Sequence, residues 1–172
     1  MINKLYPDLY VTSLIDIPLD ALRRQHIRAF ILDLDNTITE WNSNVIHSGV
    51  GDWFQTIKEA GFKACILSNN KEQRCLAVAN HLEIPFIYKA QKPRRASFYR
   101  ALEMMGVKAE ETAVIGDQIF TDVLGGNRAG LFTILVTPMA SREFLGTKIS
   151  RAMEKIVLYR LKRKQKREKK RS

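Results

Sequence analysis

A few polar residues stand at the ends of apolar runs: Asp33 and Asp35, one residue apart, Ser68 followed by Asn69, then Lys92, then Asp117 with Asp122 beyond it. Together these types suit phosphoryl transfer. A carboxyl with the ordinary pKa of about 3.9 is ionised at neutral pH, so Asp33 is expected to be able to attack phosphorus. Alone it would repel an anionic phosphate; a hard cation such as Mg²⁺ on carboxylate oxygens removes that repulsion. The Lys92 ammonium and the Ser68 hydroxyl suit the remaining phosphate oxygens. Asp35, in the turn past the strand, can protonate the leaving alkoxide and later activate water.

Those side chains matter only if the chain gathers them. Short apolar runs at 28–34, 62–67, 85–88, 112–115 and 131–136 read as buried parallel strands. Between them, apolar residues at helical spacing predict helices over 49–60 (Val50, Trp53, Phe54, Ile57), 71–82, 95–105 and 122–129, after a short one at 18–26. Gly61, Gly106 and Gly130 suit helix ends. This alternation predicts an α/β fold: a five-stranded parallel sheet with helices on both faces. In such sheets ligands bind beyond the carboxyl ends of the strands, near the point where strand order reverses. Asp33, Asp35, Ser68, Asn69, Lys92 and Asp117 each stand where a predicted strand gives way to a loop.

Composition narrows the field. The chain has 172 residues, 45% of them hydrophobic, which is enough for one domain with a buried core. No apolar run approaches the roughly 18 residues of a membrane-spanning helix. The first residues lack the layout of a secretory signal. Two cysteines, Cys65 and Cys75, make neither a disulfide framework nor a zinc spacing. Cytoplasmic localisation is expected, and Cys65 reads as strand packing.

Taken in order, the candidate residues resemble the four motifs of the haloacid dehalogenase (HAD) superfamily of phosphohydrolases. Asp33-Leu34-Asp35-Asn36-Thr37 matches the first, Ser68 after Ala64-Cys65-Ile66-Leu67 the second, Lys92-Pro93 the third, and Gly116-Asp117 with Asp122 the fourth. The resemblance implies a Rossmann-like HAD fold and an aspartyl-phosphate on the nucleophile Asp33, with Asp35 as acid/base. It implies phosphate binding by Ser68, Asn69 and Lys92. Mg²⁺ would be held by Asp33, the Asp35 main-chain carbonyl and Asp117, with Thr37 and Asp122 in support. The 33 residues from Asp35 to Ser68 and the 24 from Ser68 to Lys92 are each used up by one helix and one strand. No cap domain fits, so the chain resembles the capless type, with a phosphatase domain over 1–147 and a basic tail over 148–172. Pro7-Asp8-Leu9-Tyr10-Val11 and Ile15-Asp16-Ile17-Pro18-Leu19, ahead of the first motif, are similar to the YqeG-type subfamily IIIA phosphatases of bacteria. These in turn resemble mitochondrial phosphatases that convert phosphatidylglycerophosphate to phosphatidylglycerol. Leu34 departs from the Lys typical of those relatives between the two acids.

The implied reaction is Mg²⁺-dependent hydrolysis of a phosphomonoester, with phosphatidylglycerophosphate as leading substrate. Phosphoproteins, nucleotides and nucleic-acid ends are alternatives. Charge bears on this choice: residues 160–172 hold nine basic residues against Glu168, which is +8 of the formal +10. Such a tail can sit on anionic phospholipid at roughly 1 kcal/mol per basic residue, giving peripheral contact with the inner membrane face. It can also bind nucleic acid electrostatically, though no aromatic stacking residues are interleaved with its charges. From another class comes a non-catalytic RNA- or ribosome-binding protein; the full set of motif residues argues against that reading. A phosphorylated receiver domain uses similar residue types, but there the acid pair comes first and the phosphoacceptor in mid-chain.

Overall fold

Strand β2 (Ala29–Leu32) is buried along its whole length, and the other elements are arranged about it. The computed structural model describes residues 2–139; the expected boundary at 147 and the basic tail over 148–172, read from the sequence as a helix passing into disorder, lie outside the described residues. All strands are parallel, in the order β1 (Leu9–Val11), β6 (Phe132–Val136), β5 (Thr112–Gly116), β2, β3 (Lys63–Leu67), β4 (Phe86–Ile87). The chain leaves β2 toward β3 and β4, then returns to β5 on the opposite side. The reversal therefore falls between β2 and β5, where a ligand crevice is expected.

Alternation along the strands sorts side chains into two layers. Phe30, Leu32, Ala64, Ile66, Ala113 and Ile115 face one core, closed by α2 (Ser48–Glu59) and α3 (Glu72–Leu82). Ala29, Ile31, Cys65, Leu67 and Val114 face the other, closed by α4 (Arg95–Met105) and α5 (Leu124–Ala129). Short α1 (Leu19–Arg24) adds Leu22 to the first core. Burial on both faces explains why the strands read as continuous apolar runs rather than alternating ones. Helix α5 lies close on the sheet: a Cβ at Gly126 would come 2.3 Å from Val114 Cγ1, so only glycine permits that approach.

The sheet has six strands, where five were expected. The extra one, β1, is three residues long, too short to show periodicity. Its place is fixed by tertiary contacts: Thr133 N–H donates to Asp8 Oδ2 at 2.7 Å, and Asp8 N–H donates to the Thr133 carbonyl at 2.9 Å. The helix expected over 122–129 also divides. Residues Ile119–Val123 form a π-helical turn and α5 begins at Leu124, which turns Asp122 inward.

Candidate active site

Beyond the carboxyl ends of β2 and β5 the apolar layers give way to buried charge. Asp33 continues β2, its N–H donating to the Ile115 carbonyl at 2.9 Å, and Asp117 follows the end of β5. With Asp122 they form a buried trio in which one carboxylate oxygen from each lies within 4.8 Å of the others. Lys92, after β4 and also buried, donates from Nζ to Asp33 Oδ1 and to Asp122 Oδ1, each at 2.6 Å. Asp122 reaches this point because Gly116 has no side chain; a Cβ there would stand 2.2 Å from Asp122 Oδ2. That same oxygen accepts the Gln118 N–H at 3.2 Å.

Burial dominates the electrostatics. It raises the Asp33 carboxyl to about 6, with Lys92 pulling the other way and the Asp122 charge adding to the rise. Asp33 is therefore a weaker acid than its ordinary value suggests, yet mostly ionised at neutral pH. For Lys92, burial favours loss of the proton, but Asp122 and Asp33 outweigh it and the ammonium is held above its usual range.

The remaining expected residues fall around this centre. Ser68, buried at the end of β3, accepts the Asn70 N–H on Oγ at 3.1 Å. Asn69, the other residue expected on phosphate, pairs its amide with Lys92: its Oδ1 accepts the Lys92 N–H at 2.8 Å and its Nδ2 donates to the Lys92 carbonyl at 3.4 Å. It fixes the main chain that carries the lysine. Thr37 is buried in the turn after the first acids, with no hydrogen-bond partner for its hydroxyl among the described residues. Asn36, at φ 60°, makes that turn in the left-handed region that asparagine tolerates. Asp35 stands apart from the trio, held by Arg74 and Asn70.

A family model described as "HAD-hyrolase-like" matches residues 89–147. The chain is 44% identical over 165 residues to the Bacillus subtilis (strain 168) protein named Probable phosphatase YqeG, covering 95% of this chain and 96% of that one. The chain belongs to the YqeG family of HAD-type phosphatases. A second relative of this YqeG-type enzyme is Phosphatidylglycerophosphate phosphatase 1, chloroplastic/mitochondrial, of Arabidopsis thaliana, 25% identical over 146 residues. That match spans 80% of this chain and 42% of the plant protein. The fold is that of the cobalt-bound deoxy-D-mannose-octulosonate 8-phosphate phosphatase YrbI from Haemophilus influenzae, at a TM-score of 0.53 and 22% identity over 64% of this chain and 68% of that one.

The donor set of this YqeG-type phosphatase fits a hard divalent cation. Among these four buried side chains three are carboxylates and one is an ammonium, paired with Asp33 and Asp122, so acidic oxygens are in excess. Such an excess is costly to bury, and all-oxygen donors suit Mg²⁺ better than a soft metal. Sequence reasoning missed Arg74, the contact of Asn70 with Asp35, and the space requirement at Gly116. One signal for Arg74 was available: a cation in the first turn of a helix opposes the macrodipole and needs a partner to hold it there.

Proposed function

We propose that this phosphatase hydrolyses phosphomonoesters through an aspartyl-phosphate on Asp33, with Mg²⁺ as cofactor and phosphatidylglycerophosphate as substrate. One arrangement carries the mechanism: a buried carboxylate at the strand-order reversal, with Lys92 at 2.6 Å and two further carboxylates within 4.8 Å. Asp33 and Asp117, with the Asp35 main-chain carbonyl, would hold the metal and Asp122 would support it; the ion supplies the positive charge that lets a phosphate approach these acids.

Asp33 forms the new O–P bond as the ester P–O bond breaks. Asp35 gives its proton to the departing alkoxide oxygen. In the second step Asp35 takes a proton from water, the water oxygen attacks phosphorus, and the Asp33 O–P bond breaks to release phosphate. Lys92 and the Ser68 hydroxyl bind phosphate oxygens, and Asn69 keeps Lys92 in place through its main chain.

The lipid substrate rests on the plant relative and on the surface around the site. Exposed Ile15, in a 3₁₀ turn after β1, and exposed Trp41 and Val45, in the segment after β2, follow the carboxyl ends of their strands, where exposed apolar side chains suit a lipid–water interface. Among the described residues no helix is long and apolar enough to cross a membrane, so contact would be peripheral, with the basic residues of 160–172 adding charge attraction. The test is phosphate release from phosphatidylglycerophosphate in mixed micelles, with and without Mg²⁺, for the parent protein and Asp33→Asn. Turnover that needs both is expected. Asp33-dependent hydrolysis of an aryl phosphate without lipid turnover would keep the mechanism and discard the substrate.

A further inference from the structure

We infer that Arg74 is a positioning residue for the acid/base step, locking the Asp35 carboxylate and the loop that carries it to helix α3. This rests on the reading of Asp35 as the proton donor and acceptor.

Arg74 is 10% exposed and Asp35 17%. The guanidinium makes contacts in two directions. Nη2 donates to Asp35 Oδ1 at 2.9 Å and to Thr39 Oγ1 at 2.6 Å, while Nη1 donates to Asn44 Oδ1 at 2.7 Å. It therefore ties the first turn of α3 to three points of the segment that follows β2. Asn70 completes the clamp, its Nδ2 donating to Asp35 Oδ2 at 2.7 Å.

The clamp determines how Asp35 can act. An ionised carboxylate offers about four acceptor positions. Three are taken, by Arg74, Asn70 and the Asn42 N–H at 3.3 Å. The position left is fixed in direction because different partners hold the two oxygens. A group that must deliver a proton to an ester oxygen and then take one from water needs this orientation in both steps, and a small displacement of such a group is expensive in rate. Among the described residues no inserted cap presses on Asp35, and the restraint comes from the sheet-end loops and the first turn of α3. A lysine at position 74 would keep the charge but could not span the same partners, because only the planar fork reaches both sides.

The test uses two substrates. p-Nitrophenolate leaves without a proton, whereas the alkoxide of glycerol phosphate requires one. In Arg74→Gln, glycerol phosphate turnover is expected to fall roughly 100-fold in kcat with KM little changed. With p-nitrophenyl phosphate the initial burst of nitrophenolate should persist, followed by slow steady-state turnover as water activation fails. Asp35→Asn should show the same pattern more strongly, and Arg74→Lys should recover only part of the loss. Asn44→Ala removes an exposed partner of the guanidinium and should show the pattern weakly, even if Arg74→Gln folds poorly. An equal fall on both substrates with no burst, or a rise in KM alone, would overturn the positioning role and make Arg74 a structural or phosphate-binding residue. If Asp35→Asn itself fails to discriminate between leaving groups, the acid/base reading of Asp35 is what falls.

Discussion

The two ends of the sheet are built on opposite terms. At the amino end, Phe62, Phe54, Ile57, Leu82 and Met105 border an open apolar groove of about 390 Å³. Phe62 packs its ring 5.0 Å from that of Phe30, under the Arg23 guanidinium. At the carboxyl end lie Asp33, Lys92, Asp117 and Asp122, the buried charged side chains among the described residues. The first end follows the hydrophobic effect and stabilises the fold. The second gathers like charges that oppose folding unless something compensates them. Stability and chemistry are thus separated along the strand direction, and the costly groups are confined to the reversal between β2 and β5.

Asp33→Asn sharpens this contrast most. Phosphatase activity should fall by roughly 10⁴-fold or more, while the metal-free protein should melt higher than the parent, since one of the crowded charges is gone. Activity and thermal melts in EDTA check both halves. Phe62→Ala should do the reverse: a loss of about 3 kcal/mol in unfolding free energy, read by denaturant titration, with kcat per folded molecule unchanged. Gly116→Ala crosses the boundary. Its Cβ would collide with Asp122, so stability should drop by about 1–3 kcal/mol and activity with it; unchanged activity would show that Asp122 can leave Lys92 at no cost.

The smallest effect is a pH slope. The raised carboxyl of Asp33 binds its proton more tightly in the folded chain than in the unfolded one. Its contribution to stability is full below its unfolded value near pH 4 and is lost as pH rises through about 6. In EDTA, the melting-temperature advantage of Asp33→Asn over the parent should therefore widen across that range. Mg²⁺ should narrow it again by neutralising the ionised form. A gap that stays flat with pH would mean that Lys92 alone compensates the trio.

The sequence carried a large share of this design. Helices α2 and α4 lie where apolar spacing put them, because each buries one stripe against the sheet and periodicity records that demand. Strands β2, β3 and β5 were visible as apolar runs because both of their faces are covered. Asp33, Lys92 and Asp117 were legible as candidates for a related reason: a charged residue past the end of such a run has to meet a partner, and the meeting point of parallel strands is their common carboxyl edge; Asp122 was named only through the resemblance of the fourth motif.

Tertiary structure decided what local pattern cannot encode. β1 exists through the Asp8–Thr133 hydrogen bonds, between residues 125 apart in sequence. The Asn69 amide meets the main chain of Lys92 and the Arg74 fork closes on Asp35, pairings between segments that no local pattern encodes. Composition and spacing specify which groups will be buried and at which end of the sheet. Direction, pairing and the rise of the Asp33 carboxyl depend on angstrom-scale distances between segments remote in the chain, and only the folded arrangement sets those.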